Sequence, residues 1–231
     1  MLLSKLIKKI DILKFLVLTD STGNPRTFPH VCKVGLEETY PYLLRKAFDK
    51  AIFYQLSFGN ITTDKLLNQA IGYLSDWSPD FIIIQSGMAD SRPEAFSETS
   101  LVNLQTILGP VFNKYKKYIY HPRLIKFRNL HRVKPQSFHK TLKKFKIIFS
   151  NSNILWLEIC AAPKYEKDRP GVLSRIYEYN NIIKKIYGSN YIYTQNVLNE
   201  VNGFNPDSMH WNKKGHTAIA KVLKDKINSL I

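Results

Sequence analysis

Short apolar runs that alternate with stretches of helical spacing constrain this chain more than any other feature. Runs at 15–18, 51–58, 81–84 and 153–159 are predominantly apolar, and a weaker one lies at 191–193. Strands that are apolar on both faces need cover on both faces, as in a parallel sheet between two helical layers. The segments 40–49, 63–74, 101–118, 173–186 and 215–231 carry the helical spacing. The pattern predicts a three-layer α/β/α sandwich with a central parallel sheet of about five strands. The first four runs end at Thr19-Asp20-Ser21-Thr22-Gly23, Gly59-Asn60, Ser86-Gly87 and Ala161-Ala162-Pro163. Sheets of this kind bind ligands at the carboxyl ends of their strands, so these turns are where a site is expected.

At 231 residues the chain can bury a core without staples and reads as one domain over 1–231. With 44% hydrophobic and 23% charged residues, wholesale disorder is excluded. Cys32 and Cys160 are too few for a disulfide framework or a cysteine-rich zinc site, and are expected to be core or near-surface thiols. His30, His121, His131 and His139 lack the spacing of a metal-binding pair, so no metal is expected. No phosphate-binding or dinucleotide glycine motif is present, so no cofactor is expected either. The stretch 2–10 resembles a signal peptide only superficially, because lysines interrupt it and no small-residue cleavage site follows. No run approaches the roughly 20 apolar residues of a membrane span. The expected location is the cytoplasm.

Charge adds a second constraint. The formal net charge is +16, from 34 Lys and Arg against 18 Asp and Glu. No acidic residue occurs over 99–157, where lysines and arginines alternate with Tyr115, Tyr118, Tyr120, Phe127, Phe138 and Phe145. This stretch, centred on 113–146, reads as an insertion or extended helical crossover between the third and fourth strands. Such a surface calls for an anionic partner: a nucleic acid, an acidic polymer or a membrane surface.

Two short segments carry chemistry. Asp20-Ser21 follows the first strand, and Asp207-Ser-Met-His210 precedes the last helix. A serine hydroxyl becomes a competent nucleophile only when a base takes its proton, and imidazole is the usual base near neutral pH. A carboxylate on the other ring nitrogen holds the imidazole in the right tautomer. The D-x-x-H spacing presents both groups from one loop. Taken alone, Asp20 and Ser21 fit a helix cap better than a nucleophile. With the D-x-x-H segment at the far end of the chain, that balance reverses.

In these segments the chain resembles the SGNH hydrolases, or GDSL-type esterases, over nearly its whole length. Thr19-Asp20-Ser21 is similar to their first block, Gly59 to the glycine of the second, Gly87-Met-Ala-Asp90 to the third, and Asp207-x-x-His210-x-Asn212-x-x-Gly215-His216 to the last. The resemblance implies a flavodoxin-like SGNH fold, with Ser21 as nucleophile, His210 as base and Asp207 as its orienting acid. It also implies the backbone N–H groups of Ser21 and Gly59 as oxyanion donors. Thr19 stands where the family has glycine, a change expected to touch only local backbone freedom. Ala89 stands where the third block has an asparagine donor; losing one donor typically costs about a hundredfold in rate.

A narrower resemblance is to an SGNH branch among bacterial surface-polysaccharide biosynthesis proteins, carried by Asp20–Arg26, Glu38–Leu44 and Gly87–Pro93. It implies that Asp90 and Arg92 face the site, with Arg92 or Arg26 binding a carboxylate or phosphate of the substrate. The expected activity is hydrolysis or transfer of an O-acyl group, such as O-acetyl, on a surface glycan or glycolipid precursor. The basic segment would hold an acidic substrate or give peripheral contact with the inner membrane; a nucleic-acid partner is not expected. The alternative is a catalytically weakened protein of the same fold that binds an anionic polymer or membrane through its basic segment.

Overall fold

The computed structural model describes residues 12–27 and 33–231. The stretch 2–10, His30 and Cys32 discussed above lie outside the described residues. Among the described residues, seven strands and eleven α-helices follow in the order β1 (Lys14–Thr19), α1 (Tyr40–Ala47), β2 (Ile52–Ser57), α2 (Thr63–Tyr73), β3 (Phe81–Gln85), α3 (Met88–Ser91), β4 (Pro93–Glu94), α4 (Glu98–Leu108), α5 (Phe112–Ile119), α6 (Pro122–Arg128), β5 (Leu130–His131), α7 (Pro135–Ile148), β6 (Asn153–Leu157), α8 (Tyr165–Asp168), α9 (Val172–Tyr187), β7 (Tyr191–Ile192), α10 (Gln195–Glu200) and α11 (Lys213–Asn228).

Five strands form one parallel sheet in the order β2-β1-β3-β6-β7. The five apolar runs are these five strands. Side chains alternate between two cores, as period-two geometry requires. Leu16, Leu18, Ile82, Ile84 and Trp156 point toward α2, α7 and α9, meeting Leu66, Phe138, Phe145, Tyr179 and Ile183. Phe15, Val17, Phe81, Ile83, Leu155 and Leu157 point the other way, toward α1 and α11, meeting Tyr40, Leu44, Ile219 and Leu223. Each such buried side chain contributes about 1.5–3 kcal/mol. The interior strand β1 is fully enclosed from Phe15 to Leu18, whereas β2, at the sheet edge, leaves Ile52 and Tyr54 exposed.

The expected helix at 101–118 is two helices. Gly109 takes a φ of +50° and Pro110 has no N–H to donate, so α4 stops and α5 starts on a new axis. The basic stretch likewise divides. Its second half, α7, buries Phe138, Leu142 and Phe145 and packs on α2 and α9 as the crossover to β6. The first half belongs to an excursion over 95–129, closed at its base by the two-residue antiparallel pair β4–β5. Arg175 of α9 ties that base down, donating to the Leu130 carbonyl at 2.8 Å and to Asn129. Among the described residues no helix is long and apolar enough to cross a membrane.

Candidate active site

The first turn is built from the end of β1. Thr19 Oγ1 donates to Gln85 Oε1 at 2.8 Å, and Asp20 N donates to the Gln85 carbonyl at 2.9 Å. Thr19 therefore supplies a buried bond between β1 and β3, more than the change in backbone freedom expected of it. Asp20 caps the single 3-10 turn Ser21–Gly23, its Oδ1 accepting from Thr22 N at 2.9 Å. Burial pushes the Asp20 carboxyl above its ordinary pKa, against the pull of its Thr22 bonds. Capping and presentation coexist: Asp20 holds the turn, and the Ser21 hydroxyl is left free for another partner.

That partner comes from the opposite end of the chain. Ser21 Oγ lies 2.9 Å from His210 Nε2, and His210 Nδ1 lies 2.8 Å from Asp207 Oδ2. The other oxygen of Asp207 accepts from the backbone N–H of His210 at 2.9 Å and of Met209 at 3.1 Å. Burial would raise the Asp207 carboxyl, but these bonds and the His210 ring hold it well below the usual carboxylate range. The loop is fixed independently of the site. Ala162 N, beyond β6, donates to the Ser208 carbonyl at 2.8 Å, and Asn205 N donates to the His210 carbonyl at 2.7 Å. Asn212 caps α11 by accepting from Gly215 N, and its amide reaches back to the carbonyls of Asn202 and Phe204. Gly203 and Gly215 touch backbone to backbone; a Cβ on Gly215 would run into the Gly203 carbonyl.

Ser21 and His210 open on a cavity of about 650 Å³, also lined by Gly59, Asn60, Ala89, Arg26, Arg92, Lys116, Tyr120 and Arg169. The backbone N–H groups of Ser21 and Gly59 have no partner among the described residues. Ala89 contributes only a methyl to the wall.

The expected binding residues separate. Arg92 reaches the cavity, pairing with Glu94 at 2.7 Å and donating to Asn60 Oδ1 at 3.1 Å. Arg26 also reaches it, but its Nη1 lies 3.4 Å from Asp207 Oδ2, so it is partly committed to the histidine's own carboxylate. Asp90 does not face the site. It is fully buried and accepts from Thr63 N and Thr63 Oγ1, anchoring the start of α2. Burial pushes its carboxyl up to about 7. A charged substrate group has no access to it.

Sequence reasoning missed Asn60, Lys116, Tyr120 and Arg169. Asn60 was within reach, since it follows Gly59 at a strand end. Arg169 had no signal: it enters from the loop after α8 and pairs with the other oxygen of Glu94 at 3.1 Å. His216 is buried, accepting from Tyr40 N at Nδ1, and burial lowers its pKa to about 4. Cys160 is buried, with its thiol pushed up by that burial. Among the described residues no cluster of three potential metal ligands occurs.

No family model and no curated protein matches the chain. Solved structures do. A lipase/acylhydrolase from Enterococcus faecalis aligns at a TM-score of 0.65 and 12% identity, covering 94% of this chain and 96% of that one. This chain has the SGNH lipase/acylhydrolase fold. Phospholipase A1 from Streptomyces albidoflavus aligns at 0.58 and 17% identity, covering 93% and 99%. An acetylxylan esterase from Geobacillus stearothermophilus aligns at 0.59 and 17% identity, covering 93% and 94%. The topology is thus shared end to end while few side chains are.

Proposed function

We propose that the protein is a serine-dependent acyl-transfer enzyme of the ester-hydrolase class. The observation that carries this is the hydrogen-bonded chain from Ser21 through His210 to Asp207 at the edge of an open cavity. His210 Nε2 takes the Ser21 proton as Oγ attacks the acyl carbonyl carbon. The oxyanion forms against the free N–H groups of Ser21 and Gly59. The carbon–oxygen bond to the leaving alcohol then breaks, and His210 returns the proton to that oxygen. The acyl group on Ser21 passes to water or to a sugar hydroxyl, the second attack again being assisted by His210. Asp207 keeps the ring oriented and stabilises it when protonated.

For the substrate, we read an O-acyl ester, such as an O-acetyl, on an acidic bacterial surface glycan or glycolipid precursor. Arg92, Arg169 and Lys116 support this, since they line the cavity with Glu94 as the acidic partner shared by the two arginines. Guanidinium groups in such a wall suit a carboxylate or phosphate. The acetylxylan esterase among the structural neighbours is consistent with an acylated sugar. Labelling with a fluorophosphonate probe tests the chemistry. The wild-type protein should be labelled and Ser21→Ala should not; equal labelling of both discards the nucleophile.

A further inference from the structure

The excursion over 95–129 has an outer face that no part of the described chain covers. α4 buries none of its residues fully: Leu101, Leu104 and Leu108 are half-buried, and Val102 and Ile107 are exposed. α5 carries one wide apolar arc. Phe112 and Ile119, seven apart, form its buried edge. Val111, Tyr115 and Tyr118 form the other edge at helical spacing and are exposed, Tyr118 by 58%. Ile107 is 79% exposed just before the Gly109–Pro110 break, and Phe127 is 86% exposed near the end of α6. An apolar arc buried along one edge only leaves the other edge for a second apolar partner.

The same excursion is strongly cationic. Lys114, Lys117, Arg123, Lys126 and Arg128 lie on α5 and α6, and none forms an ion pair among the described residues. Lys117 sits over the Tyr118 ring, 4.9 Å from its centre. A partner must therefore offer negative charge and an apolar interior at once. We infer that the outer face of α4–α6 docks on an anionic lipid bilayer. Tyrosines beside lysines suit the headgroup layer, and the aliphatic and phenyl groups suit the acyl boundary beneath. A single-stranded nucleic acid fits less well, because Val111 and Ile107 offer nothing to stack on a base. Docking there brings the bilayer close to the cavity, since Lys116 and Tyr120 of the same excursion line its wall. The inference stands on this surface alone and does not need the acyl-transfer reading.

Co-sedimentation of the full chain with phosphatidylcholine vesicles, with and without phosphatidylglycerol, tests it. Binding should require phosphatidylglycerol and weaken with added salt. Tyr115→Ser/Tyr118→Ser and Lys114→Glu/Lys117→Glu should each lower binding by about tenfold or more. All four side chains lie outside the cavity, so turnover of a soluble ester and the circular dichroism spectrum should be unchanged. Binding that ignores phosphatidylglycerol overturns the inference, as does wild-type binding by either folded variant. Binding of a single-stranded oligonucleotide without vesicle binding overturns it in favour of a nucleic-acid partner.

Discussion

Ser21 and His210 stand on turns that the sheet itself holds in place. Arg92, Lys116, Tyr120 and Arg169, which line the same cavity, come from the end of α3, the excursion over 95–129 and the loop after α8. On the first side, backbone bonds with Gln85, Ala162 and Asn205 hold Asp20, Ser208 and His210, and the spacing from Ser21 through His210 to Asp207 is 2.9 and 2.8 Å. On the second side, long cationic side chains share Glu94, and Lys116 is exposed. Proton transfer fails when atoms move by a fraction of an ångström, whereas attraction of an anion tolerates slack. On the function proposed above, the first side serves the chemistry and the second the recognition, and each can be disturbed without the other.

Short of removing Ser21 itself, the largest effect should come from Asp207→Asn. An amide cannot stabilise the imidazolium and favours the wrong tautomer, which costs about ten-thousandfold where the carboxylate is buried. The Asp207 side chain is 39% exposed, so kcat should fall by about a thousandfold, with KM for a neutral aryl acetate little changed. Steady-state kinetics on 4-nitrophenyl acetate read this. Gly215→Ala should come next, disturbing the first side through its support. The added methyl meets the Gly203 carbonyl, and overpacking of this kind costs about 1–3 kcal/mol. Thermal denaturation should show the loss, and activity should fall with it because the loop bearing His210 is displaced.

Arg92→Ala should divide the two sides cleanly. KM for an ester with a carboxylate on its alcohol should rise about tenfold, while KM for the matched ester with a neutral carboxamide in its place should hold. Equal effects on both esters would show that Arg92 supports the catalytic side instead. The smallest effect concerns acid. The buried His216 has its pKa lowered from 6.5 to about 4, so folding favours its neutral form. Its contribution is complete above pH 6.5 and is lost as the pH falls toward 4. Denaturation midpoints across that window should decline in the wild type and decline less in His216→Gln.

The side built on the sheet is also the side the sequence revealed. Apolar runs located β1, β3 and β6 because a doubly covered strand has no polar face to blur the pattern, whereas the edge strand β2 was located by apolar residues that it leaves partly exposed. Ser21, Asp207 and His210 were legible because each sits at an element boundary in a spacing with a chemical reason. Asp90 was misread as a substrate contact. Its partner Thr63 lies 27 residues away, and only the fold brings the start of α2 to the carboxylate and turns it inward. Arg169 and Lys116 enter the cavity through loop and helix placements that no local pattern encodes. The two-residue strands β4 and β5 are likewise too short to leave a periodicity, yet they define where the excursion begins and ends.

The central claim is that Ser21 carries the acyl group. Rapid quenching of the wild-type protein during turnover of 4-nitrophenyl acetate, followed by peptide mass analysis, tests it directly. The account predicts one acetyl group on the peptide containing Ser21, absent from Ser21→Ala, with turnover lost in that variant. An acetyl group on another residue, or turnover retained by Ser21→Ala, would contradict it.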